Sequence, residues 1–348
     1  MPERILTERE LNRALLARQM LLERSSVSIP KALERMGTLQ AQYAPSMYIG
    51  LWSRLECFER DALTRALERR SVVQGTLMRA TIHLVSKGDY WPIALAVREP
   101  RRRAWAAYRP DYDVRRPAAA ARKLRTAFGT QSSMARKEIH ELLGGDSVIT
   151  GGVNMWLDLV RVPPSGTWER RRADLYAMAE DWIGPPPDSA SAAAGVELLV
   201  RRYLGGYGPA RAREIADFTG LPAKALGPVL DALRLRRFRA EDGSELLDLP
   251  RAPLPDPETP APPRLLPTWD ATLLAHARRT QILPEKHRSK VFGVKTPQSV
   301  PTFLVDGQVA GTWKWQKDRV ALSPFGKLAK AARAALDEEA ARLTELHA

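Results

Sequence analysis

Arginine is the side chain with the most chemistry to offer in this sequence. Of 54 cationic residues, 42 are arginine and 12 lysine, and the chain carries a formal charge of +14 with a pI near 10.1. The basic residues come in runs: Arg98 with Arg101 to Arg103, Arg115-Arg116, Arg170 to Arg172, Arg234 with Arg236, Arg237 and Arg239, and Lys286-His287-Arg288 with Lys290. A guanidinium fork grips a phosphate or a guanine edge in two places. The runs therefore point to nucleic acid as the partner. An arginine-rich codon bias would give the same composition with merely solvated faces. Other chemistry is thin. There is no P-loop, no His-Glu-x-x-His and no Gly-x-Ser-x-Gly elbow. Clustered carboxylates that could hold Mg2+ are also lacking. Cys57 is the single cysteine, which excludes a disulfide framework, an iron–sulfur cluster and a cysteine-based zinc site. The five histidines are scattered, and His83, inside an apparent strand, reads as structural or DNA-facing. No metal and no cofactor are expected.

Three stretches repeat one pattern that could present such arginines. Two or three amphipathic helices run into a basic, turn-broken hairpin, the order of a winged-helix module. In the first, Thr7 and Glu10 form a capping box for a helix to about Glu23. Pro30 opens a second helix that runs to Gln42 and stops before Pro45. A third spans about Arg60 to Arg69, and Val72 to Val85 reads as strand and wing. The second copy has helices near 117–128, 133–143 and 152–161, with Pro163-Pro164-Ser165-Gly166 as its hairpin turn. The third has helices at 196–204, 209–219 and 222–235. Its wing turns at Asp242-Gly243. The alternative is a plain helical bundle with incidental hairpins.

Prolines mark the boundaries: Gly184-Pro-Pro-Pro, then seven prolines between 250 and 263 that predict a stiff connector. Modules are expected at 1–110, 111–184 and 190–250, a connector at 251–263, and a β-rich segment with a terminal helix at 264–348. In that last segment Asp306-Gly307 is the strongest hairpin signal. The fold class expected is α+β, mainly α, built from the three modules. No stretch is long and apolar enough to span a membrane, and a cytoplasmic, nucleoid-associated monomer is expected.

Several motifs then become specific. Met36-Gly37-Thr38-Leu39-Gln40-Ala41-Gln42-Tyr43-Ala44-Pro45, followed by Gly50-Leu51-Trp52-Ser53-Arg54-Leu55, resembles the signature of the AlkZ/YcaQ winged-helix DNA glycosylases. Leu77 to Val85, Arg202 to Ala210, Asp217 to Leu221, Leu265 to Asp270, and Asp306-Gly307 with Gly311-Thr312-Trp313 are similar to further blocks of that family. The match runs in order over about residues 7 to 325. It implies three tandem winged-helix modules in a C-shaped, positively charged cleft. It also implies hydrolysis of the N-glycosidic bond of alkylated purines, including N7-guanine crosslinks left by genotoxic natural products, in repair or self-resistance. The family's Gln-hydrophobic-Gln motif falls on Gln40 and Gln42. The YcaQ branch has Asp at the second position, so Gln42 puts this chain nearer the AlkZ branch.

The chemistry of that motif can be argued independently. N7-alkylation makes guanine a cation and a good leaving group, so the enzyme must mainly place a water and steady an oxocarbenium-like sugar. A carboxamide is no base at neutral pH, but its carbonyl accepts from a water and its NH2 donates. Two residues apart on a helix, Gln40 and Gln42 would point about 200° apart, so a shared site requires the helix to end first. Without the resemblance both would be read as surface polar residues.

Around them the expected DNA contacts are Arg54, Arg79, His83, Arg202, Arg211, Lys286, Arg288 and Lys290. The expected lesion or groove hairpin is Val305, Asp306, Gly307 and Gln308. The absence of an obvious nucleophilic lysine favours a monofunctional enzyme. The competing reading is a non-catalytic winged-helix DNA-binding protein, and a metal-dependent nuclease is weaker still.

Overall fold

The computed structural model describes residues 4–276, 280–293 and 299–348. β1 (Ile5–Leu6) leads into α1 (Glu8–Arg18). The start of α1 is set by the expected capping box. Thr7 Oγ1 accepts from the Glu10 N–H at 3.2 Å, and Glu10 accepts from the Thr7 N–H at 2.8 Å. α2 (Ile29–Met36) carries Pro30 in its first turn and stops well short of Gln42. Gly37 ends it in the left-handed region at φ 75°. β2 (Leu39–Gln40), α3 (Ala44–Trp52), α4 (Arg60–Glu68), β3 (Val72–Thr76) and β4 (Ile82–Ser86) follow. The 22-residue α5 (Lys87–Tyr108) has no counterpart in the sequence reading, because Gly88, Pro92 and Pro100 break its pattern.

The second stretch holds α6 (Arg115–Phe128), β5 (Met134–Ala135), α7 (Arg136–Leu142), α8 (Ser147–Gly152), β6 (Leu159–Arg161), β7 (Leu175–Met178) and α9 (Ala179–Ile183). The helix expected over 152–161 is absent. α8 ends at Gly152, where Trp105 packs so closely that a Cβ would lie 2.6 Å from its indole nitrogen. A 3-10 turn over Val153–Met155 follows before the chain extends into β6. The third stretch has α10 (Ala192–Tyr207), α11 (Ala212–Thr219), α12 (Ala223–Ala232), β8 (Arg236–Ala240) and β9 (Glu245–Asp248). After the connector come β10 (Arg264–Leu266), the short α13 (Arg288–Val291), β11 (Thr302–Val305), β12 (Gln308–Gln316), β13 (Arg319–Pro324) and α14 (Lys330–His347).

Helices followed by a hairpin thus recur three times in an α+β chain. The hairpins are not separate, however. Those of the first two stretches join one six-stranded sheet, β2-β4-β3-β6-β7-β5, while β1 adds in parallel to the β8-β9 hairpin. A four-stranded antiparallel sheet runs β10-β11-β12-β13.

One large apolar core joins α1, α5, α10, α11 and α12. α5 and α10 cross at Gly195, where any Cβ would overlap the Pro92 carbonyl. A second core seats α2, α3 and α4 against the C-terminal sheet and α14. There Leu336 and Leu343 of α14 are fully buried. Each such leucine contributes roughly 1.5–3 kcal/mol through water exclusion. Leu39, Ala41 and Ala44 of the β2–α3 corner, which carries the glutamine motif, are buried in this second core.

Candidate active site

The early end of α2 decides where the two glutamines go. Gly37 can be no other residue without strain, since φ is positive and a Cβ would meet the Arg202 carbonyl oxygen at 2.7 Å. The chain then extends, and β2 pairs antiparallel with β4, Leu39 opposite Leu84 and Gln40 opposite His83. The helical 200° argument therefore does not apply. Gln40 lies in a strand with its side chain buried beside His83. Gln42 lies in the bend before α3 and is exposed. Its Oε1 accepts from the Ile82 N–H at 3.1 Å, and the Ala41 N–H donates to the Ile82 carbonyl at 2.7 Å. The corner is thereby stitched to β4. The Gln42 carboxamide is held with one carbonyl lone pair occupied, the other lone pair and the NH2 remaining for a ligand.

The histidine opposite Gln40 is neutral at neutral pH. His83 is buried, and its Nδ1 donates to the Thr81 carbonyl at 3.1 Å, which fixes the proton on that nitrogen. Burial, with the nearby Arg79 guanidinium adding to it, lowers its pKa to about 3. His83 is therefore a neutral wall behind Gln40.

Arg79 stands at the tip of the β3–β4 hairpin with φ 51°. It donates to the Phe218 carbonyl and lies 4.9 Å from the centroid of the Phe218 ring. The Leu77–Val85 and Asp217–Leu221 motif blocks thus meet in space.

Other expected DNA contacts are placed differently. Arg54 is fully buried; its two terminal nitrogens bond Asp270 at 3.0 and 2.9 Å, and one also bonds the Gly50 carbonyl at 2.9 Å. It cannot touch a phosphate in this structure. Arg202 is similarly committed, bidentate to Asp89 at 2.7 and 2.9 Å and 3.4 Å from Glu34. Arg211 pairs with Asp242 at 2.7 Å on the rim of a cavity that also contains Glu214 and His276. Lys286, Arg288 and Lys290 are exposed, with Arg288 3.8 Å from Glu285 and Lys290 4.9 Å from the Phe325 ring centroid. The rest of that basic loop, 294–298, lies outside the described residues.

The expected groove hairpin needs the clearest correction. The β11–β12 turn is clamped to α1. Asp306 pairs with Arg13 and, at 2.9 Å, with Arg9, and Asn12 donates to the Gly307 carbonyl at 2.8 Å. A Cβ on Gly307 would lie 2.5 Å from Asn12 Oδ1. Asp306 and Gly307 are thus occupied by α1 and Val305 packs on the second core, while Gln308 is exposed. The next turn, Lys317-Asp318 between β12 and β13, is the one that projects, with residues 314–319 all exposed.

Residues 33–346 match the family model described as DNA glycosylase AlkZ-like. The chain belongs to the AlkZ-like DNA glycosylase family. Among solved structures, the DNA glycosylase AlkZ of Streptomyces sahachiroi superposes with a TM-score of 0.80 over 98% of this chain and 97% of that one. The sequence identity is only 17%, so that likeness speaks for the fold. No curated protein matches in sequence. Within this family's fold, no described helix is long and apolar enough to cross a membrane.

Sequence reading missed Tyr43 and Arg171, whose side chains meet beside Gln42. Tyr43 lay inside the quoted motif and Arg171 inside a quoted basic run, but only the tertiary fold brings them together.

Proposed function

We propose that the protein is a monofunctional glycosylase that acts, as a monomer, on duplex DNA carrying N-alkylated purines. Its chief substrates are bulky N7-guanine adducts or interstrand crosslinks, which fits a role in repair or self-resistance to a genotoxin. The observation that carries this reading is the anchored, exposed carboxamide of Gln42 beside a buried, neutral His83. Such a site suits a leaving group that is already cationic. The C1′–N9 bond breaks with its electron pair going to the alkylated purine, which leaves neutral. Water, held by the free carbonyl lone pair of Gln42, adds its oxygen to C1′ and loses its proton to solvent. Gln40 and neutral His83 supply the wall that keeps the corner in place. The helix–hairpin repeats are read as winged-helix modules lining a basic cleft, with the β12–β13 hairpin, not Val305–Gln308, addressing the groove. A crosslinked base cannot rotate fully out of the duplex while its partner strand is attached, so an exposed corner suits it better than a deep pocket.

The test is base release from duplexes carrying N7-methylguanine or a bulky N7 adduct, read as alkali-labile abasic sites. Release that disappears in Gln42→Ala with DNA binding retained is the expected outcome. Tight binding with no release from any adduct would leave a non-catalytic DNA-binding protein.

A further inference from the structure

Beside Gln42 lies a cluster that the catalytic reading does not use. Tyr43 is 41% exposed, and its hydroxyl accepts from Arg171 Nη1 at 3.3 Å. The Arg171 guanidinium is 5.8 Å from the centroid of the buried Trp168 ring, and that of Arg60 is 5.3 Å from the same centroid. Trp168 meets His347 edge-on at 4.9 Å, and His347 stacks on Trp315 at 4.2 Å with the planes 10° apart. Trp315, on the projecting β12–β13 hairpin, is still 39% exposed. Five stretches far apart in sequence therefore build one continuous strip of rings and cations from Gln42 to the hairpin.

The charges on this strip are unspent. Arg170 and Arg172 both pair with Asp174, at 3.2 and 3.6 Å, whereas Arg171 between them has no carboxylate partner among the described residues. Arg60 likewise has only the Trp168 ring and, at 3.5 Å, the His347 carbonyl. Of the acids close by, Asp61 is 3.8 Å from Arg65, exposed Glu169 acts on the Tyr48 hydroxyl, and Glu59 and Glu345 line the cavity beside Arg60 without an ion pair to it among the described residues. Arginines aligned over aromatic rings without counter-ions suit phosphates, and an open indole face suits a base. An uncharged planar adduct would use the rings and leave both guanidiniums idle. A nucleotide uses both.

We propose that this strip binds an unstacked nucleotide of the DNA next to the lesion. Arg171 and Arg60 hold its phosphates, Trp315 stacks its base, and Tyr43 acts as a positioning residue that fixes the Arg171 guanidinium beside Gln42. The inference rests on the DNA-acting reading above, but not on base release.

Fluorescence anisotropy tests it with two unmodified duplexes, one fully paired and one carrying a single bulged nucleotide. Wild type should prefer the bulged duplex by about five- to a hundredfold, the range of base–aromatic stacking. Trp315→Ala should abolish that preference while binding the paired duplex within about twofold, and Trp315→Phe should recover most of it. Arg171→Gln should flatten the log–log salt dependence on the bulged duplex by about 0.7 to 0.9, one phosphate contact, and Tyr43→Phe should do so in part. Unchanged thermal melting keeps these exposed variants interpretable. Equal binding of both duplexes by wild type would overturn the proposal, as would an equal loss on both in Trp315→Ala. A Trp315 effect confined to duplexes bearing a bulky planar adduct would assign the strip to the adduct instead. Base release that is absent while the bulge preference persists would remove the glycosylase chemistry and leave this surface standing.

Discussion

Replacing Arg54 separates a structural ion pair from a DNA contact. The guanidinium and the Asp270 carboxylate are both buried, with side-chain exposures of 0% and 2%. Asp270 also accepts from the Thr272 N–H at 3.0 Å and the Thr272 hydroxyl at 2.8 Å, capping the turn after β10. Arg54→Ala would leave that carboxylate buried without its cation. Breaking one side of such a pair costs about 3–5 kcal/mol. At roughly 2 °C per kcal/mol for a chain of this size, the melting temperature should fall by about 6–10 °C. The Arg54 Nε has no partner, so the pair is not ideally satisfied even in the native state. A double replacement, Arg54→Leu with Asp270→Leu, should therefore recover much of the loss. The assay is thermal melting of both single variants and the double variant, paired with DNA affinity over a salt series. The reasoning fails if Arg54→Ala melts within a degree of wild type and its log–log salt slope is shallower by about 0.9, the signature of one lost phosphate contact.

The other predictions concern the glutamine corner and its supports. Gln42→Ala should lower base release about 10²- to 10³-fold, the cost of one pre-positioned polar group, with duplex affinity within about twofold; single-turnover kinetics beside anisotropy would show it. Gly37→Ala forces a Cβ to 2.7 Å from the Arg202 carbonyl at a positive φ. It should cost at least about 1–2 kcal/mol, read by melting, and slow base release by shifting the corner. His83 has a folded pKa of about 3 against an ordinary 6.5, so the unfolded chain binds the extra proton between those values. Its contribution is complete above pH 6.5 and is lost as pH falls, by about 1.4 kcal/mol per unit, or about 2 kcal/mol between pH 6.5 and 5. The difference in pH–stability slope between wild type and His83→Gln isolates it, and equal slopes would refute burial as the cause. Asp306→Ala removes an exposed pair with Arg9 and strips the buried Arg13 guanidinium of its carboxylate. It should cost about 1–3 kcal/mol and leave base release within twofold, whereas a large catalytic loss would return that turn to the DNA groove.

The pattern of hits and misses has a physical cause. Signals that act within a few residues were legible: the Thr7–Glu10 box, the Asp242-Gly243 and Asp306-Gly307 turns, and the helices that became α4 and α11 all stand where local chemistry puts them. What failed depends on distant partners. α5 carries two prolines and a glycine, yet it forms because its apolar residues pack across α10, where Gly195 lets the backbones touch. Gln40 and Gln42 looked helical because α2 runs toward them, and the sequence does not announce that Arg202 leaves no room for a side chain at Gly37. The same limit governs the arginines. A basic run in a sequence cannot distinguish Arg54, spent on Asp270 across 216 residues, from Arg171, which keeps its charge for a ligand. Burial and counter-ions decide which cations can meet a phosphate. By that measure the cations free to meet DNA are fewer than the 54 in the composition, and Arg171 and Arg60 among them stand near the glutamine corner.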